Sequence, residues 1–200
     1  MLLFLTVLFP LTISAQNIRA VEGAVVFQSN EVHSGCFLID HKMATVFQVL
    51  DSGLQVYLPH RLKYIFYYDA DLNMNRKFEF KPDPKTGYPT AYEIIFRGYI
   101  SLYRKSKWAD NKYEHDSDYE YICQLYNEWI PLQKFRTRIY PILKSQFGDK
   151  LLAFMKTQSL NANNPADAIR IMQFCNEEWE EAIPPASDPL ISGVSAGNKS

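Results

Sequence analysis

Apolar and polar positions alternate along the first two thirds of the chain and change to helical spacing in the last third. Between Gly23 and Asp69, short apolar runs follow one another with few residues between them: GAVVFQS, GCFLID, ATVFQVL, LQVYL and LKYIFYY. Ser29–Ser34 and Asp40-His41-Lys42-Met43 read as turns. Asp51-Ser52-Gly53 predicts a three-residue hairpin loop with Gly supplying positive φ. Leu54, Val56 and Leu58 alternate with Gln55 and Tyr57, the mark of a strand with one buried face. Pro59 cannot donate to a ladder, so that strand ends there or lies at an edge. In the next run, Leu62, Tyr64, Phe66 and Tyr68 share one face, and Lys63, Ile65 and Tyr67 the other.

Asp69–Asn75 reads as a polar link and Phe78–Phe80 as a short strand. Lys81–Pro89 carries three prolines and a glycine and reads as a loop. Tyr92–Phe96, Tyr99–Arg104 and Tyr119–Tyr126 resume the sheet, with Gly98 permitting a bend and Lys105–Asp118 forming an exposed hairpin loop. Beyond Pro131 the period changes. Phe135, Ile139 and Leu143 recur at helical spacing, and Pro141 must kink or restart that helix. Gly148-Asp149 is a stop followed by an N-cap, after which Leu151, Phe154 and Met155 make an apolar stripe. Asn164-Pro165 starts another helix, on which Ala168, Ile171, Met172, Cys175 and Trp179 share a face.

Strands first and helices last predict an α+β layer structure. The connections are too short for parallel crossovers, so the sheet is expected to be an antiparallel β-meander of about seven to nine strands, able to curl into a partly open barrel. Two or three C-terminal helices are expected to cover it. Residues 16–181 read as a single domain, with strands over 23–127 and helices over 132–181, followed by a Pro-, Ser- and Gly-rich disordered tail over 182–200.

Met1–Ala15 (MLLFLTVLFPLTISA) has no charged side chain, is interrupted by Pro10 and ends in small residues. It is too short to span a bilayer comfortably and reads as a signal peptide cleaved after Ala15, although the usual basic n-region is missing. Of the 200 residues, 47% are apolar and 22% charged, which are globular values. A net charge of −1 provides no field to draw in nucleic acid or anionic lipid. Three cysteines, Cys36, Cys123 and Cys175, leave at least one thiol free, and their apolar settings read as buried, inert thiols.

No cofactor fingerprint or catalytic constellation stands out. Asp69, Asp71, Asn73 and Asn75 place oxygen ligands on alternate residues, as a calcium loop begins, but Met74 and Phe80 stand where such a loop has Gly and Glu. Ordinary turns use the same residue types. His33, Cys36 and His41 are close in sequence but lack a fourth zinc ligand. Gly193–Gly197 matches the text of a nucleophile elbow, with only three residues after it and no His among them. Lys134, Arg136 and Arg138 read as a solvated helix face. In the loop Trp108–Asp118, His115 lies among Asp110, Glu114, Asp116 and Asp118, and a solvated hairpin tip accounts for the pattern. As a contact surface, that loop offers Trp108, Tyr113 and His115 to a partner, with the two aromatics as anchors.

An exported start ending in Ala-Gln, a strand meander, the strand Arg-Gly-Tyr-Ile-Ser-Leu-Tyr-Arg (Arg97–Arg104), a polar hairpin and helices ending near Phe174-Cys175-Asn176 follow in that order. This arrangement resembles small secreted proteins of unknown function from Bacteroidetes. The resemblance implies an envelope or secreted location, periplasmic or extracellular, and brings no catalytic residues. The chain therefore reads as an exported, non-enzymatic structural, interaction or ligand-binding module whose partner is an envelope protein or a small ligand. A hydrolase with a loop-built site is the alternative.

Overall fold

The computed structural model describes residues 20–40, 44–106 and 119–182. The signal-peptide reading, His41, the loop residues Trp108, Tyr113 and His115, the elbow-like text and the tail expected after Ala182 lie outside the described residues. Among the described residues, ten strands make an open antiparallel sheet and two α-helices follow, so the chain is α+β. The strands are β1 (Ala20–Phe27), β2 (Val32–Asp40), β3 (Thr45–Leu50), β4 (Gly53–Tyr57), β5 (Leu62–Asp69), β6 (Met74–Pro82), β7 (Pro89–Phe96), β8 (Ile100–Ser106), β9 (Tyr119–Leu125) and β10 (Glu128–Pro131). The helices are α1 (Tyr140–Thr157) and α2 (Pro165–Ala182). The count exceeds the expected strands by one, because Glu128–Pro131 is only four residues long, ends in Pro and follows a Tyr126-Asn127 turn without a glycine.

The described residues fall into two compact units, one reaching to Pro82 and taking in Tyr88–Ala91, the other made of Asp83–Gly87 and the described residues from Tyr92 on. In the first unit the strand order is β4-β3-β2-β1-β5-β6. Its core is one face of these strands: Val25, Phe37, Val46, Leu62, Ile65, Tyr67 and Phe78 are buried together. The sheet coils around that face. β1 and β4 are three strand spacings apart, about 14 Å in a flat sheet, yet the rings of Phe27 and Tyr57 lie 4.9 Å apart. A register shift between Val26 and Phe27 opposite β5 accompanies this coiling.

Several boundaries move. The β3–β4 turn has two residues, Asp51 and Ser52, with Gly53 paired to Leu50 while still at φ +127°. β6 runs through Lys81 and Pro82, so the Pro-rich loop starts two residues later than its composition indicates. β6 also starts earlier than Phe78, because Arg76 is buried and continues the inward alternation of Phe78 and Phe80.

In the second unit, the strands from β7 to β10 carry an apolar layer on one face. Ile100 pairs with Leu125 and Leu102 with Cys123, and these four pack with Ile139, Leu143, Leu151, Ala168, Ile171, Met172 and Cys175. Pro141 stands in the first turn of α1, where its missing N–H costs nothing. Gly148, at φ 50° and ψ −127°, interrupts α1, a conformation a side chain would resist. Asn164 Oδ1 accepts the Ala166 N–H at 2.9 Å and caps α2 as its sequence predicts. Among the described residues, no helix is long and apolar enough to cross a membrane.

Candidate functional site

Among the described residues of the second unit, a cluster of charged side chains grows from the Pro-rich loop. Asp83 Oδ1 accepts the backbone N–H groups of Lys85 (2.8 Å) and Thr86 (3.2 Å), an Asx turn closed by the Gly87 N–H on the Asp83 carbonyl. Gly87 sits at φ +73°, the left-handed region this turn requires. Asp83 Oδ2 accepts from Lys105 Nζ at 2.6 Å and from the Tyr92 hydroxyl at 2.9 Å. Glu120 accepts from Lys85 at 2.9 Å and faces Lys105 at 3.4 Å. Asp83 is 5% exposed. Burial raises its pKa, but the Lys105 and backbone hydrogen bonds lower it more, leaving it far below the usual carboxylate range. Burial, then the Asp83 bond, pushes the Tyr92 phenol well above its ordinary value. A carboxylate with four donors and a phenol this reluctant to ionise make a poor proton-transfer pair. The cluster pins the loop to β7, β8 and β9. Its signal in the sequence was Asp83-Pro84-Lys85-Thr86-Gly87, a turn signature, but the partners on distant strands carry no local pattern.

On the helix-facing side of the same strands, Glu93 accepts from Arg104 Nε at 2.7 Å, and the guanidinium lies 4.1 Å from the Tyr119 ring centroid. Near α2, Tyr99 stacks on Trp179 with centroids 4.3 Å apart, and its hydroxyl lies 2.7 Å from that of Tyr126. Both arrangements join strands or helix to sheet.

The first unit holds an acid–imidazole–hydroxyl relay that sequence reasoning missed, because Glu31, His33, Gln48 and Tyr57 come from three strand neighbourhoods. His33 Nε2 lies 2.7 Å from Glu31 Oε1, and His33 Nδ1 lies 2.8 Å from the Tyr57 hydroxyl. That hydroxyl donates to Gln48 Oε1 at 2.6 Å, while Gln48 Nε2 donates to the Ser34 carbonyl at 3.3 Å. Burial, then Glu31, raises the Tyr57 pKa. Tyr57 is 3% exposed and already donates inward, so the relay ends in the core rather than at a place where substrate could sit.

The calcium-like residues form the β5–β6 hairpin. Asp69 Oδ1 accepts the N–H groups of Asp71 (3.1 Å) and Leu72 (3.3 Å), and Asp69 Oδ2 pairs with Arg76 at 3.1 Å. Asn73, at φ 52°, accepts from the Tyr68 hydroxyl. Asn75 is in β6, paired with Tyr68. The side chains of Asp69 and Asn73 are thus engaged within the turn. His33 and Cys36 project to opposite faces of β2, since His33 pairs with Val25 of the core face and Cys36 with Glu22 of the other. Among the described residues, no three His, Cys, Asp or Glu side chains are placed to hold a metal.

The outer face of β3 and β4 is different in kind. Val49 pairs with Leu54 and Phe47 with Val56, so these four share one face, and Cys36 and Leu38 of β2 extend it. Leu54 is 58% exposed, Val56 50% and Val49 40%. The alternation in β4 marks a one-faced strand, but the buried face is that of Tyr57, which pairs with Val46 over the core. Periodicity defines two faces without saying which one turns inward. The result is an apolar ribbon in water beside a sheet edge. Comparison with family models, with curated proteins and with solved structures finds no match for the chain.

Proposed function

We propose that this chain is an exported, non-enzymatic interaction module of a bacterial envelope or of the surrounding medium. One observation carries the reading: the ribbon formed by Val49, Leu54 and Val56 is the kind of contiguous apolar surface that soluble chains expose where they meet a partner. The polar clusters support it from the other side. Asp83, Lys105, Glu93 and Arg104 are committed to one another, and the Tyr57 relay ends in the core. The Met1–Ala15 leader and the resemblance to small secreted Bacteroidetes proteins support export.

Two measurements test it. Expressed from Met1 in a bacterium, the chain is expected outside the cytoplasm with Gln16 as its first residue by intact mass. The purified chain is expected to leave chromogenic glycoside, ester and peptide substrates unchanged. Turnover that persists through repurification, and that tracks the protein peak, favours the envelope hydrolase and overturns the reading.

A further inference from the structure

The two edges of the sheet are built differently. β10 is four residues long, starts with Glu128 and ends with Pro131, features that discourage another strand from adding. β4, at the other end of the strand order, has no charge and no proline from Gly53 through Leu58. Antiparallel ladders alternate between pairs that exchange hydrogen bonds and pairs that do not. The two-residue turn makes Leu50 and Gly53 a bonded pair, and therefore Gln48–Gln55 and Val46–Tyr57 as well. Leu54 and Val56 then turn their N–H and C=O groups away from β3. The same two residues carry the exposed apolar side chains. One short strand thus presents four main-chain groups and an apolar stripe together.

We propose that β4 pairs antiparallel with β4 of a second copy of this chain, about a twofold axis at Gln55. This rests on the interaction-module reading above and names its partner. With the axis at Gln55, Leu54 of one copy faces Val56 of the other, and all four outward groups of each strand find partners. Shifting the axis to Leu54 or Val56 leaves some of these groups facing the turn or Leu58. The outer face then continues from Val49 and Leu54 of one copy into Val56 and Phe47 of the next, apolar against apolar. Charge agrees with self-pairing. A twofold interface sets the residue on its axis against its own copy and crosses the neighbouring residues, so like charges on a charged strand would be brought together, which a neutral strand avoids.

The test uses the purified exported chain and sedimentation over a concentration series into the high-micromolar range. The wild type is expected to move from one chain to two. Gln55 is exposed, so substitutions there leave the core untouched. Gln55→Lys sets two ammonium groups against each other at the axis and Gln55→Glu two carboxylates, and each is expected to weaken association by roughly tenfold or more. Mixing the two variants in equal amounts is expected to restore the dimer as a heterodimer. Unchanged far-UV spectra confirm that the variants fold. A wild type that stays monomeric throughout, a dimer indifferent to both variants, or a monomer that takes up an extended peptide at β4 instead would overturn the proposal. None of these bears on the turnover assays, so the two readings fail separately.

Discussion

Asn176 of α2 grips Ile100 of β8 with both ends of its amide. Its Oδ1 accepts the Ile100 N–H at 2.8 Å, and its Nδ2 donates to the Ile100 carbonyl at 2.9 Å. The side chain is buried and the two residues are 76 apart in sequence. Helix and sheet are thereby fixed in register by a pair of hydrogen bonds that mimics a strand partner. Gly98 stands against the same amide: a Cβ there would lie 2.5 Å from Asn176 Cγ.

Asn176→Ala is therefore expected to cost about 2–4 kcal/mol, since it strands a buried donor and a buried acceptor on one residue. Asn176→Asp is expected to be at least as costly, because a carboxylate keeps the acceptor for Ile100 N–H but repels the Ile100 carbonyl. Urea unfolding of both variants measures this. A loss under roughly 0.5 kcal/mol for the alanine variant would mean the two bonds contribute little beyond replacing water.

Gly98→Ala is expected to destabilise by displacing the Asn176 amide. The double variant Gly98→Ala/Asn176→Ala supplies the decisive number. With the amide gone the new methyl has room, so the two losses should fall short of adding, by roughly 1 kcal/mol or more. Strict additivity in the cycle would place the glycine's cost elsewhere.

The layer order, the helix start at Asn164-Pro165 and the break at Gly148 were legible in the sequence, because each rests on local chemistry: a capping side chain, a fixed φ, a residue without Cβ. The apolar spacing of Ala168, Ile171, Met172 and Cys175 likewise named a face that is buried. What stayed hidden depends on long-range pairing. Tyr57 and Leu54 exchange the roles that alternation alone cannot assign, because the choice is made by the coil that brings Phe27 to Tyr57. The Asp83–Lys105–Glu120 cluster joins a loop to two strands whose charges look like ordinary solvated positions one at a time. Asn176 read only as a helix residue until Ile100 was beside it.

Lys105→Met is expected to destabilise the protein by about 3 kcal/mol, the usual consequence of leaving a buried carboxylate without its cation. Asp83→Asn should be milder near neutral pH, because Lys105 keeps Glu120 and the amide still accepts the turn's N–H bonds. Thermal melts of the two variants at one pH rank them. A milder loss for Lys105→Met than for Asp83→Asn would put the cluster's importance in the turn rather than in the ion pair.

Acid titration tests the same carboxylate by a different route. The folded-state pKa of Asp83 lies below its ordinary value of 3.8, so its stabilising effect is fully present above that value and is lost as pH falls towards the folded pKa. Glu120 is shifted in the same direction, by its Lys85 and Lys105 bonds against burial. Stability measured by urea unfolding should accordingly decline below about pH 4. The decline should be shallower in Asp83→Asn, with the residue of the slope left to Glu120 and other carboxylates. Parallel curves for the variant and the wild type would show that Asp83 binds protons alike in the folded and unfolded chain.

The thiols should separate by reactivity. Cys123 and Cys175 are buried in one core, with Cys123 Sγ 3.6 Å from Met172 Sδ, and burial pushes both thiols up to about 12. Cys36 is half-buried on the outer face of β2. Because the thiolate is the reacting species, a thiol that ionises only in strong alkali and sits behind packed side chains reacts slowly at neutral pH. A thiol-specific chromogenic disulfide should therefore titrate one of the three cysteines quickly in the folded chain and all three in urea. Cys36→Ser is expected to abolish the fast phase while leaving the melting temperature within a few degrees. Fast labelling of two thiols in the folded wild type would instead mean that α2 opens from the sheet on the timescale of the reaction.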